Sequence, residues 1–395
     1  MLSRRLFLKA GGVALFALGA GPQFLTRTAL AAQGRRKVLV TIFQRGAMDG
    51  LMAVTPLSED LRALRPRLAM GAKDLLDLGV DFGLHPAFDP LLPLWKEKRL
   101  GIVHAVGSPD STRSHFDAQD YMETGTPGRK GTPSGWLNRA VGLLGHEGSP
   151  FRAVSMTSAL PRSLYGDEPA LAVTDLADFR APAESFEALY AQTSQKVLHD
   201  TADDTFQAMA MLTPEKVARY RPANGAEYPN SPLGQALRQI ALLIKSDVGL
   251  EVAFAESGGW DTHVQQGTVN GSFARQARDL AQSIHAFWTD LGPVHQDDVL
   301  LSTMTEFGRT VRENGSGGTD HGHGSCLFVL GNQVQGGRVH GSFPGLDALY
   351  EGRDLPVTTD FRAVFCELAG RHLGIKDDAK LFPGWSGKRL PLLKT

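Results

Sequence analysis

Apolar runs in this chain stop abruptly at acidic residues, histidines and glycines, and that repeated stop restricts the fold more than any other feature. Lys37-Val-Leu-Val-Thr-Ile-Phe43 gives way to Gln44-Arg45-Gly46-Ala47-Met48-Asp49-Gly50, and Leu250-Glu-Val-Ala-Phe-Ala255 to Glu256-Ser-Gly-Gly-Trp260-Asp261-Thr-His263. Val299-Leu-Leu-Ser-Thr-Met304 runs into Thr305-Glu306-Phe-Gly-Arg309, and a glycine-rich loop then delivers Asp320, His321 and His323 ahead of a further run, Ser325 to Leu330. Short β-branched runs bounded in this way read as strands buried on both faces. Helical patterns separate them. Leu233, Leu237, Ile240, Leu243 and Ile244 mark one stripe, Ala277, Leu280, Ile284 and Phe287 mark another within Phe273 to Leu291, and Thr359 to Leu373 reads as a closing helix. The alternation predicts an α/β fold whose mostly parallel sheet carries helices on both faces. In such sheets the C-terminal strand ends share one rim, and ligands bind there.

Earlier in the chain, Pro86 to Lys98 reads as a helix leading into a strand, Leu100 to Val106, and then to Ser108-Pro-Asp110-Ser-Thr-Arg113-Ser114-His115-Phe-Asp117. Ser114 sits at an N-cap position, with Gly125 as the stop. Two readings stand: capping alone, or a nucleophile held at the positive end of a helix dipole. Asp49-Gly50 likewise reads either as a turn or as a carboxylate at the lip of the first strand. Residues 126–230 are less regular, with a strand at Phe151 to Met156 and helices at Ser185 to His199 and Pro214 to Tyr220. They resemble an insertion on one core, so 32–395 is read as one domain.

The N-terminus reads as an address. Ser3-Arg4-Arg5-Leu6-Phe7-Leu8-Lys9 fits the twin-arginine export pattern, Ala10 to Leu25 is moderately apolar, and Ala29-Leu30-Ala31 supplies small residues at a cleavage site. Removing residues 1–31 takes four cations and no anions from a formal charge of -1 and leaves -5. The expectation is a periplasmic or otherwise exported protein, partnered by the twin-arginine translocase during export and touching the membrane only through that segment. This charge gives no footprint for nucleic acid. The two cysteines, Cys326 and Cys366, read as small buried hydrophobes rather than as a disulfide.

Carboxylates and imidazoles on a common rim suit zinc or manganese, and carboxylates alone would suit magnesium. In chain order, Arg-Gly-Ala-Met-Asp49-Gly-Leu, Arg113-Ser-His-Phe-Asp-Ala-Gln-Asp120, Gly258-Gly-Trp-Asp-Thr-His263, Thr305-Glu-Phe-Gly-Arg309 and Gly318-Thr-Asp-His-Gly322 resemble the domain of unknown function 1501 family. That family is similar to the alkaline-phosphatase-like superfamily of metal-dependent phosphatases, sulfatases, phosphodiesterases and phosphomutases. The resemblance implies Ser114 as nucleophile and Asp49, Asp261, His263, Glu306, Asp320, His321 and His323 as ligands of a divalent metal. Arg45, Arg113 and His115 would then help to bind a small anionic phosphate or sulfate ester. Glu306-Phe307 stands where the superfamily carries an Asp-His pair, the Asp261-to-His263 spacing is short and His323 is extra. The resemblance therefore leaves open one metal or two.

Two rival functions remain. An exported protein on a degenerate fold of this type would serve as a non-catalytic binding or assembly protein of the envelope. A serine hydrolase would use Ser257, in the elbow-like Ala255-Glu-Ser-Gly-Gly259, with Asp320 and His321 following in the required order.

Overall fold

The computed structural model describes residues 36–177 and 212–394. Residues 1–31, expected to be a signal segment, and the helix expected at Ser185 to His199 lie outside the described residues. The strands, in chain order, are β1 Val38–Gln44, β2 Val54–Pro56, β3 Leu76–Asp77, β4 Phe82–Leu84, β5 Leu100–Gly107, β6 Ala153–Ser155, β7 Leu171–Ala172, β8 Val252–Ser257, β9 Val299–Met304, β10 Ser325–Leu330, β11 Val339–His340 and β12 Thr359–Asp360.

Nine of them form one sheet in the order β11-β5-β10-β9-β1-β8-β6-β7, with β12 also paired to β5. β1 is parallel to both neighbours, Leu39 standing opposite Val252 and Leu300. Alternating side chains of β1 feed two cores on opposite faces. Val38, Val40 and Ile42 join one with residues of Pro232–Lys245 and Ser272–Gln296, while Leu39 and Phe43 join the other with residues of Trp136–Leu143 and Phe361–His372. The expected α/β architecture with a mainly parallel central sheet is thus the observed one.

One reversal was not legible in the sequence. β10 runs antiparallel to both β5 and β9. The loop before β10 therefore meets the same rim as the C-terminal ends of β1, β8 and β9, and β5 delivers Ser108 to Ser114 to that rim too.

The expected helix from Pro86 to Lys98 is a 3-10 turn, Pro86–Leu91, followed by Leu92–Lys96. Pro90 and Pro93 lack the N–H groups that one continuous ladder needs. Of the less regular stretch 126–230, the described part contributes Trp136–Leu143, Pro214–Arg219 and two strands of the main sheet, β6 and β7. Cys326 and Cys366 are buried and unpaired, and burial pushes both thiols up. Among the described residues no helix is long and apolar enough to cross a membrane.

Candidate metal centre

Four side chains from three loops on this rim converge. The Nε2 atom of His321 lies 3.0 Å from Nε2 of His115, 2.8 Å from Nε2 of His263 and 3.3 Å from Oδ1 of Asp261. Asp261 Oδ1 is also 3.1 Å from His263 Nε2 and 3.5 Å from His115 Nε2. The donor atoms of His115, Asp261 and His321 all lie within 4.8 Å of one another.

Local structure explains the convergence. His115 opens the helix His115–Thr124, capped by Ser114 at one end and by Gly125, at φ 67°, at the other. Asp261 and His263 follow β8. His321 leaves the reversed loop through a bridge to Arg309.

Each ring is oriented from behind through Nδ1. His115 Nδ1 meets Glu306 Oε1 at 2.8 Å, His263 Nδ1 meets Asp320 Oδ1 at 3.0 Å, and His321 Nδ1 meets the Arg113 carbonyl at 2.8 Å. A carbonyl only accepts, so His321 carries its proton on Nδ1. Glu306 and Asp320 accept in the same way because both stay ionised. Burial pushes the Glu306 carboxyl up, but hydrogen bonds from His115, Gln119 and the Gly46 N–H outweigh it and hold it low. The Asn314 amide, then His263, hold Asp320 low. With its proton on Nδ1, the His321 ring turns a bare Nε2 toward the Nε2 atoms of His115 and His263, beside the Asp261 carboxylate oxygen. Two bare Nε2 atoms at such distances repel unless a proton or a metal ion lies between them. Donors about 2.0–2.1 Å from one tetrahedral ion stand roughly 3.3 Å apart, so His115, Asp261 and His321, whose donor atoms are separated by 3.0, 3.3 and 3.5 Å, fit a divalent metal, with His263 beside them against His321.

Arg309 fixes the carboxylate donor. This fully buried guanidinium donates to the carbonyls of Gly46, Ala47, Trp260 and Thr319, and its Nη2 reaches Asp261 Oδ1 at 2.6 Å. Burial raises the Asp261 carboxyl, yet the Arg309 hydrogen bond and charge bring it below its ordinary range. The His115 imidazole is raised chiefly by its hydrogen bond to Glu306, against burial, whereas burial lowers His321.

Several residues read as ligands or anion binders from the sequence stand elsewhere. Asp49 is buried, with both carboxylate oxygens on Arg65 at 2.7 and 3.1 Å. Glu306 and Asp320 stand behind the rings rather than among the converging donors. His323 is buried with Nε2 on the Ser108 carbonyl at 2.9 Å and its ring against Tyr350, so the extra histidine serves packing. Arg45 is matched by Glu123 and Glu256, and Arg113 by Asp354 and Glu351, so neither guanidinium faces an open anion site. Conversely, His115, read as an anion binder, belongs to the converging set. Phe307 packs 5.0 Å from the rings of both His115 and His321 and walls the centre on its apolar side. Ser114 is exposed next to His115, its Oγ accepting only a long 3.5 Å contact from the Asp117 N–H. Ser257 is buried and accepts a hydrogen bond from Trp260 Nε1, and Asp320 and His321 are engaged at the centre, so the serine-hydrolase arrangement is not assembled. Arg309, Arg65 and Gln266 were not singled out beforehand. Only the place of Arg309 inside the Thr-Glu-Phe-Gly-Arg motif gave any signal.

A family model described as a protein of unknown function, DUF1501, matches residues 70–383. The chain belongs to that family. No curated protein matches this DUF1501 chain. Among solved structures it is similar to the PsFucS1 sulfatase from Pseudoalteromonas sp., at 12% identity and TM-score 0.41, over 91% of this chain and 73% of that one. It is also similar to the lipoteichoic acid synthase LtaP from Listeria monocytogenes, at 9% identity and TM-score 0.37, over 91% and 75%. A third is the zinc complex of the C-terminal periplasmic domain of EcEptC from Escherichia coli, at 10% identity and TM-score 0.36, over 76% and 74%.

Proposed function

We propose that this DUF1501 protein is an exported metal-dependent hydrolase of phosphate or sulfate esters, with one ion held by His115, Asp261 and His321 and with His263 beside them. The observation that carries the reading is the convergence of the His115 and His321 Nε2 atoms and an Asp261 oxygen, each oriented from behind. Imidazoles joined to a single carboxylate favour zinc, with manganese next, over magnesium. Such an ion, when bound, would polarise an ester oxygen and lower the pKa of a nearby hydroxyl. Ser114 supplies that hydroxyl at the start of a helix, where the backbone N–H groups favour developing negative charge. Phe307 keeps one side of the centre dry, and Arg309 holds Asp261 in place.

Metal analysis of the folded protein is the first test, with one transition-metal ion per chain expected and loss of it in Asp261→Ala and His321→Ala. A panel of phosphomonoesters, phosphodiesters and sulfate esters follows, with turnover expected to vanish in Ser114→Ala. A folded wild-type chain that binds no zinc or manganese on titration would sink the hydrolase reading. Export through the twin-arginine translocase is checked by replacing Arg4 and Arg5 with lysine and measuring retention in the cytoplasm.

The matched charges of Arg45 and Arg113 favour a second reading, a metal-containing binding or assembly protein of the envelope, because they leave neither guanidinium for an anionic substrate. A metal-loaded protein inert toward the whole panel selects it.

A further inference from the structure

The carboxylate at the end of the central strand, Asp49, meets the centre only through a chain of buried contacts. Arg65 grips both its oxygens and also donates to the carbonyls of Thr310 and Val311. Its Oδ2 accepts a 2.7 Å hydrogen bond from the Gln266 side-chain amide. The Gln266 side-chain oxygen accepts in turn from two hydroxyls, Thr262 at 2.9 Å and Thr319 at 2.8 Å. Thr262 lies between Asp261 and His263, and Thr319 lies two residues before His321. Gln266 is fully buried, so all of these bonds form away from water. The two loops are tied again by backbone bonds, Gln266 N–H to Gly317 and Thr319 N–H to Thr262. At Gly318 the two loops lie so close that a side chain would strike the backbone of His263 and Thr262.

We propose that Gln266, anchored by the Asp49–Arg65 pair, is the positioning residue that sets the spacing of the two ligand-bearing loops. Asp49 accordingly serves the centre from behind, the Arg65 guanidinium is the fixed cation it faces, and the chain binds one metal ion rather than two. The inference rests on the metal-centre part of the proposed function and is independent of whether the protein turns over an ester. A side-chain amide suits this post because it is donor and acceptor at once. Leucine fills the space without either function, and glutamate keeps the acceptor for the two threonines but sets a second carboxylate against Asp49.

The test is zinc titration, with stoichiometry and Kd, of the full chain and of Gln266→Leu, Gln266→Glu and the double variant Asp49→Asn with Gln266→Glu. Unfolding by urea is followed in parallel. The wild type is expected to bind one equivalent. Both single variants should bind roughly 10–100-fold more weakly while still folded, the range for losing a residue that orients ligands. In the double variant the amide placed at position 49 donates to the carboxylate placed at position 266 with net charge unchanged, at the cost of an N–H turned toward Arg65 Nη1, so affinity should rise above that of Gln266→Glu and part of the loss should return even where stability does not. That recovery is what a merely structural role would not produce. Wild-type affinity in folded Gln266→Leu, or two tightly bound equivalents in the wild type, overturns the proposal and leaves the metal-centre reading intact. A wild type that binds no zinc overturns both. Should Gln266→Leu fail to fold, the comparison of Gln266→Glu with the double variant decides.

Discussion

The front and the rear of the centre are built from opposite materials. Behind the converging donors, Arg309, Arg65, Asp49, Gln266 and Glu306 are all essentially fully buried, and each makes two or more hydrogen bonds. In front, the Asp261 side chain is 48% exposed, and Phe116, next to His115, is 89% exposed. Buried charges are stable only when fully partnered, so they have one arrangement. Exposed ones cost little to move. The difference teaches that geometry is stored at the rear and access is provided at the front.

Removing a donor breaks the comparison most severely. His321→Ala is expected to abolish tight zinc binding, beyond the roughly 10–100-fold loss that a supporting residue causes, as read by titration against a competing chelator. A rear variant should instead cost stability first. Arg65→Met leaves Asp49 buried and unpaired and should lower the unfolding free energy by about 3–5 kcal/mol in urea melts.

Acidification separates the buried core histidines from the centre by sign. Burial holds His104 neutral, with its pKa lowered to about 4, its Nε2 facing the Val54 carbonyl and its Nδ1 accepting from the Ala105 N–H. Burial lowers His372 to about 4 as well, beside the Val38 carbonyl. Unfolded, each titrates near 6.5, so their contribution is complete above that pH and is lost as pH falls from about 6.5 toward 4, at roughly 1.4 kcal/mol per unit per histidine. His104→Gln should flatten that slope by one proton. His115 is raised by Glu306, so in metal-free protein its contribution is present below about 6.5 and fades as pH rises through its raised value. Zinc competes with that proton, and affinity should fall on acidification. At the far end of the scale, Phe116→Ala should change stability by no more than about 0.5 kcal/mol and leave zinc affinity unaltered. Any effect it has should appear in KM for ester substrates.

Much of the rim was legible in the sequence because strands that end in glycine and acid advertise themselves. β1, β5, β8 and β9, and the Ser114-to-Gly125 helix with both its caps, follow from local pattern alone. What local pattern does not carry is partnership. Asp49 and Asp261 look alike as acidic residues after a strand, and only the fold shows Arg65 closing on one while Arg309 holds the other and leaves it half open. The same holds for Glu306-Phe307. As a motif the pair lacks an imidazole, yet His115 supplies one from a helix almost two hundred residues away, with Glu306 at its Nδ1. The antiparallel course of β10 was hidden for a similar reason, since an apolar strand reads the same in either direction.

That reversal has a further consequence. Because β10 returns against β9, residues 305–324 leave the sheet and rejoin it at one edge, and the neck is tied by Gly308 N–H to His323 and Gly322 N–H to Gly308, each at 2.8 Å. A segment knotted at its base is a cassette, whose length can change without shifting the strands that hold it. At its outer turn Gly315 has no atom within 4 Å of where a side chain would begin. Residues added there grow into solvent, and doubling a flexible loop costs only about 0.6 kcal/mol. Diversity in what such a site admits can therefore be written into one short span of chain while the sheet beneath keeps its register.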